Sequence, residues 1–367
     1  MNKLVFANLL HRPVRSLISI FGVAIEVAMI LSIVAVMMGK VDDQRERGNG
    51  IGADVLVMPS NGSMIFGLNG ASMPINDVTA LRQLPHVAIA SPTNTYTSMN
   101  SGMEVIWGID YDSFNAMRPF TYIAGGPFQG SNDVIIDDIM ANNGNGYHVG
   151  DSILVFKRPM HICGIVEHGR GGRKLIQLET LNQMLGTEGK ASMFLVKADK
   201  PADTNLVKQE ILSRKGFTQN RVITMDEWTT LMSPEHLPGF TIALNVVITI
   251  AVIVGFLVIF QSMYTAVFER TREIGILKSM GASKTSIITV VLRETLALVS
   301  IGILVGIALT FGIRGIIAIK YPTFEFELTM AWIVRGAFIA LLGSIIGAMY
   351  PAILAARKDP IDALAYE

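Results

Sequence analysis

The spacing of apolar residues constrains this chain most. "LISIFGVAIEVAMILSIVAVMM" occupies Leu17 to Met38, and three comparable runs follow in the last third, near Thr241–Phe260, Thr295–Ile313 and Ala331–Ala356. A run of about 20 mainly apolar residues is long enough to cross the hydrocarbon of a bilayer. The first run is too long for the apolar part of a signal peptide, and no small-x-small cleavage site follows it. Four spans are therefore expected, over 17–38, 241–268, 286–313 and 331–356. Composition agrees: charged residues make up 16% of the chain, against about 25% in soluble domains. The formal net charge is zero, which argues against a general attraction to nucleic acid. A single cysteine, Cys163, excludes an intrachain disulfide.

Four spans put both termini on one side. Lys3, Arg12 and Arg15 precede the first span, Arg270, Arg272, Lys278 and Lys284 lie between the second and third, and Arg357 and Lys358 follow the fourth. The bias of basic residues places that side in the cytoplasm. The expected order is an N-terminal amphipathic helix (1–16), the first span, an extracytoplasmic domain (39–240), the second span and a charged cytoplasmic connection (269–285). The third span, an outer loop (314–330), the fourth span and a cytoplasmic C-terminus (357–367) complete it. Small-xxx-small pairs at Gly302/Gly306 and Gly343/Gly347 allow close helix packing, within one bundle or at a dimer seam.

The 39–240 segment reads differently. "ADVLVMPS", "EVIWGID", "DSILVF", "MHICGIVEH", "SMFLVKAD" and "RVITMDEW" predict short strands bounded by turn residues. "PINDVTALRQL", "LETLNQMLG" and "DTNLVKQEILSRKGF" predict helices, the first capped at Asn76 or Asp77 and the others closing on Gly186 and Gly216. The fold class is thus membrane α-helical, four transmembrane helices, with a large mixed α/β extracytoplasmic domain between the first and second spans. The domain carries neither a G-x-S-x-G elbow nor an H-E-x-x-H motif, so no catalytic residue is assigned. His161, Cys163, Glu167 and His168 lie close in sequence but fit no standard zinc spacing, and ordinary strand residues account for them. "HGRGGRKL" lacks the spacing of a phosphate-binding loop and reads as a mobile loop. Twenty methionines, Met29, Met58, Met64, Met73, Met99, Met103 and Met117 among them, suit core filling or an adaptable apolar surface.

Glu26 falls near the middle of the first span. A carboxyl in hydrocarbon is costly, so it must face a helix, a cavity or a subunit seam. Either it is a neutral acid bonded to a neighbouring helix, with Asn245 as a candidate partner, or it belongs with Met29 to a substrate pathway.

"FERTREIGILKSMGASKTS", Phe268 to Ser286, is dense charge between two spans. Ile274, Leu277 and Gly281 recur at helical spacing, Gly281 makes a natural stop and Ser283 a cap for the next helix. Acids interleave with the bases, which suits a protein partner better than an anionic lipid surface.

Three parts of the chain carry a resemblance: "ERTREIGILKSMGASKTSI" at Glu269–Ile287, the opening "NLLHRPVRSLISIFGVAIEVA" and the closing "YPAILAARKDPIDALAYE". Together with the order of one span, a large insert and three spans, they resemble MacB/FtsX-type ABC transporter permeases, the group that includes LolC/LolE, DevC and the haem exporter HrtB. "GIVEHGRGGRKLIQLETLNQMLG" also resembles a segment of the family's outer domain. The resemblance implies that Glu269, Arg270, Arg272, Glu273, Ile274, Gly275, Leu277, Lys278, Met280, Gly281 and Ala282 form a coupling helix seated on an ATPase subunit. It implies a dimer of permeases, two identical copies or a pair of homologues, and allows a membrane fusion or other extracytoplasmic partner. Lipid or lipoprotein, haem, antibiotic and peptide are the substrate classes it brings. The chain has no G-x-x-x-x-G-K-[ST] loop, because "GASKTS" lacks the upstream glycine. ATP and magnesium then belong to a separate polypeptide. The alternative within the family is a relay like FtsX, which transports nothing and activates an outer cell-wall hydrolase. The expected location is the bacterial cytoplasmic (inner) membrane.

Overall fold

A computed structural model describes residues 13–358, apart from 64, 66, 69, 99–103, 145, 235, 237–238 and 322. Most of the expected N-terminal helix, nearly all of the C-terminal segment, Met64, Met99 and Met103 lie outside the described residues. Contacts divide the chain into two units. One holds the helices up to Gly39, from Gly239 to Ile319 and from Phe326 onward; the other holds Lys40–Pro238 with Lys320–Glu325.

The first helix is longer than its apolar run. Helix α1 (Pro13–Gly50) has 38 residues, about 57 Å at 1.5 Å per residue. The expected end at Met38 is corrected: "GKVDDQRERGNG" is polar but contains no proline, and it stays helical to Gly50. Hydropathy locates the membrane-crossing part of a helix, whereas its end depends on capping and docking.

The inserted domain then runs β1 (Val55–Met58), β2 (Met73–Pro74), α2 (Asp77–Arg82), β3 (Val87–Ser98), β4 (Glu104–Ile109), α3 (Tyr111–Met117), β5 (Tyr122–Gly125), β6 (Asp133–Asp137) and α4 (Asp138–Ala141). It continues through β7 (Ser152–Val155), β8 (Arg158–Val166), β9 (Lys174–Gln177), α5 (Leu178–Leu185), β10 (Lys190–Ala191), β11 (Met193–Ala198), α6 (Thr204–Ser213), β12 (Arg221–Thr224) and α7 (Met225–Leu231). One continuous sheet has the order β12-β1-β11-β3-β4-β9-β6-β8-β5, with β7 on β8. Pairing is antiparallel except between β4 and β9 and between β6 and β8.

All four residues of β1 are buried, because both faces of the sheet are covered. Val55 and Val57 pack with Leu81 of α2 and Val207 of α6, while Leu56 and Met58 pack with Trp107, Phe114 and Trp228. Met58, Met73 and Met117 are core residues. Helix α5 closes on Gly186 in the left-handed conformation. Helix α6 stops at Ser213, short of the expected Gly216, and "RVITMDEW" divides at Thr224, which caps α7 through a capping box with Glu227.

The remaining helices are α8 (Phe240–Glu269), α9 (Thr271–Ser279), α10 (Lys284–Lys320) and α11 (Met330–Arg357). Helix α10 passes the expected end at 313, and the outer loop shortens accordingly, since the first proline after Ile313 in sequence is Pro322. The small-residue pairs pack helices of the same chain. A Cβ on Gly302 would fall 2.7 Å from Val23 and one on Gly306 2.7 Å from the Ala24 carbonyl, while Gly347 faces the Phe256 carbonyl at 2.9 Å. Such contacts bring α10 onto α1 and α11 onto α8.

Candidate functional site

Helix α8 does not run on into the charged stretch. It ends at Glu269, the backbone breaks at Arg270 (φ −106°, ψ 19°), and α9 starts at Thr271 as a separate short helix. Arg270 turns inward: its Nη1 donates to Glu294 Oε2 of α10 at 2.9 Å, and both side chains are nearly buried. The inward face of α9 is Thr271, Ile274 and Gly275, and Ile274 joins Val267, Ile287, Ala355 and Ala356 in one apolar cluster. Lys278 donates to the carbonyls of Ala356 and Lys358, tying the start of the C-terminal segment to α9. A turn with Gly281 at φ +93° closes the helix, and Ser283 Oγ accepts from Ser286 N at 3.2 Å at the start of α10.

This division corrects the expected helical face. Ile274 is buried, whereas Leu277 and Gly281 are exposed. The buried face runs Thr271, Ile274, Gly275, at i, i+3 and i+4, so Leu277 stands beside it, and Gly281 lies in the turn after the helix has ended at Ser279. Among the residues expected to couple, Glu269, Arg272, Glu273, Leu277, Met280 and Gly281 are exposed, while Arg270, Ile274 and Gly275 hold α9 in place. Ile276, 45% exposed, belongs with the outward set and was missed; Met280 is the most exposed of its large apolar residues at 73%. Ala282 and Lys278 are half-buried. The outward surface is apolar at Ile276, Leu277 and Met280, with mixed charge beside it.

Glu26 of α1 is 2% exposed, and neither carboxylate oxygen has a hydrogen-bond partner. It lies against Gly255 of α8, where an added Cβ would stand 1.8 Å from Oε2. Gly255 therefore makes the room the carboxyl occupies. Asn245 is exposed and lies ten residues earlier on α8, about 15 Å along the axis, so it does not partner Glu26. Met29, half-buried one turn on, packs with Ile30, Val34, Leu244 and Ala251.

The outer domain holds a polar centre that sequence reasoning missed. Arg173 is nine-tenths buried and binds three carboxylates: Asp43 of α1 at 2.7 Å, Asp137 at 3.1 Å and Glu325 at 3.2 Å. Asp43 also accepts from Arg47 at 2.8 Å. The glycine-rich loop before Arg173, expected to be mobile, is clamped instead. Gly171 N donates to the Arg47 carbonyl at 2.9 Å, and a Cβ on Gly50 would lie 1.6 Å from the Gly169 carbonyl oxygen. Lys174 opens β9, whose partner β4 is distant in sequence; this is why the "GRGGRK" text alone reads as a loop. Burial by itself would lower the Arg173 guanidinium, but the three acids raise it further above its ordinary value. Burial, and after it the neighbouring Asp43, pushes Glu325 up to about 7.

The His161–His168 group does not assemble. The pairing of β6 with β8 shifts register between Val134 and Ile135, opposite Ile162 and Gly164. This bulge buries Cys163 while His161 stays exposed. Burial holds the Cys163 thiol up at about 12, and His168 pairs with Asp138 at 3.0 Å. Among the described residues no group of three His, Cys, Asp or Glu could hold a metal ion.

Four helices long and apolar enough to cross a membrane, with an α/β domain inserted in sequence between the first and second and a short helix between the second and third, define a multi-pass membrane protein. The model of the MacB-like periplasmic core domain matches residues 16–214, and that of the FtsX-like permease C-terminal matches 245–360. The chain belongs to the MacB/FtsX-type family of ABC transporter permeases.

It is 24% identical to the uncharacterized ABC transporter permease YvrN of Bacillus subtilis, over 99% of this chain and 98% of that one. It is 26% identical to the macrolide export ATP-binding/permease protein MacB of Hyphomonas neptunium, over 100% of this chain but only 60% of the relative. The periplasmic region of MacB from Actinobacillus actinomycetemcomitans aligns with 50% of this chain and 94% of its own, at 14% identity and a TM-score of 0.39. These relatives are described as permeases and an exporter, which does not favour the relay reading.

Proposed function

We propose that the chain passes motion from a separate ATPase to its outer domain, and so exports or extracts a hydrophobic or amphiphilic substrate. The observation that carries this reading is α1. It is helical without a break from Pro13 to Gly50, and its last turns are held in the outer domain by Arg173 and the 169–172 loop. A helix of this length transmits displacement along its axis instead of absorbing it in a hinge. Helix α9, with Ile276, Leu277 and Met280 outward, is the seat for the motor. Two permease copies, the cytoplasmic membrane and cytoplasmic termini complete the reading. Glu26 and Met29 stay as pathway candidates, with haem among the substrates to test.

The test is purification of the full chain from its native membranes in mild detergent, with ATPase activity and co-purifying proteins measured. A stoichiometric ATPase is expected, and it is lost when Ile276 and Met280 are both replaced by Asp. Retention of the ATPase by that double variant would sink the assignment of α9.

A further inference from the structure

The outer domain contains a cavity of about 490 Å³ that the transmission reading does not use. One wall is basic: Lys40, Arg47, Arg173 and Lys174 line it, and among the described residues no carboxylate does. The acids that bind Arg47 and Arg173, namely Asp43, Asp137 and Glu325, do not line the cavity. Lys40 forms no ion pair among the described residues. Lys40 and Arg47 stand two turns apart on one face of α1. The other wall is apolar and open, with Leu154 67% exposed and Phe324 53% exposed. Lys40 is the second residue after the apolar run of the first span.

We infer that this cavity binds an anionic amphiphile, its phosphate or carboxylate on Lys40 and Arg47 and its chain against Leu154 and Phe324. The two walls explain each other. A small anion would leave the apolar side bare, and a neutral hydrocarbon would leave Lys40 without a counter-group. A charge-assisted contact to the anion supplies it. The inference rests on the export reading for its consequence, since an amphiphile held in the outer domain is one that has left the membrane.

The experiment is isothermal titration of octyl phosphate into the full chain in phosphatidylcholine nanodiscs, with empty discs subtracted. Saturable binding is expected, weakened about tenfold by Lys40→Gln, the equivalent of one charge-assisted contact. It should also be weakened by Ser152→Trp, which fills the cavity from an exposed edge-strand position. Inorganic phosphate and octyltrimethylammonium should bind at least tenfold more weakly than octyl phosphate. Weaker apparent binding in discs containing phosphatidylglycerol would identify a membrane lipid as the natural occupant, and unchanged binding a free amphiphile; both sustain the site. Equal affinity in wild type and both variants, or no saturable binding, overturns it. ATPase co-purification is read on the same preparations. A retained motor with no octyl phosphate binding removes the cavity and leaves the export reading standing; binding without a motor does the reverse.

Discussion

Arg173 Nη2 lies 2.7 Å from Asp43 Oδ1, so the residue that opens into strand β9 holds the helix that begins among the apolar residues of the first span. The same guanidinium reaches Asp137 and Glu325. Removing it leaves three acids in a largely buried site without their shared counter-charge.

Arg173→Met should therefore destabilise the outer domain by roughly 3–5 kcal/mol, the range for breaking a buried ion pair from one side. The measurement is chemical unfolding of the full chain carrying Trp332→Phe, so that fluorescence reports Trp107 and Trp228, both fully buried in the outer domain. Arg173→Lys should recover only part of the loss, because an ammonium cannot fork between separate carboxylates. A loss under about 1 kcal/mol for Arg173→Met would mean that the network is incidental to stability.

Glu325 gives the same domain a pH dependence of defined sign. Its folded value of about 7 exceeds the ordinary 4.5, so the folded state binds more protons between those two values. Its contribution is fully present at acid pH and is lost as pH rises through about 7. The charged groups around it are Asp43, Arg173 and Lys40. Glu325→Gln should flatten the fall in unfolding midpoint between pH 5 and pH 8. The difference should be on the order of 1 kcal/mol, because solvent screens a side chain that is 32% exposed. A steeper pH dependence in the Gln variant would contradict the assignment.

In the membrane unit, Gly255 and Glu26 are predicted to be coupled. Gly255→Ala places a methyl where the Glu26 carboxylate stands and should cost about 1–3 kcal/mol by overpacking. Glu26→Ala opens that space, so the double variant should recover most of the loss introduced by Gly255→Ala. Thermal unfolding in detergent, analysed as a double-mutant cycle, reads the coupling. Additive single effects would show that the two residues do not share the site.

Helix α9 shows how far the text could be read. A short charged helix between Phe268 and Ser286 was legible, since its charge, its glycine stop and its serine cap are local signals. Which side of it faces outward was not. That depended on the one-residue break at Arg270, set by the pairing of Arg270 with Glu294 in the next helix. Similarly, the strands read from 55–58, 104–109 and 193–198 were visible as apolar runs. Strand β9 was not, because "KLIQ" is recognisable only beside β4, far back in the sequence.

By itself, then, the sequence determined the membrane class, the four apolar helices, the inserted α/β domain and the short charged helix between the second and third spans. Each depends on hydropathy or on signals within a few residues of one another. The tertiary structure alone decided that Arg173 gathers Asp43, Asp137 and Glu325, that Gly255 makes room for Glu26, and that α1 continues to Gly50. Those features arise from groups drawn together across long stretches of chain. A buried charge finds its counter-charges wherever the fold places them, and sequence separation carries no record of that distance.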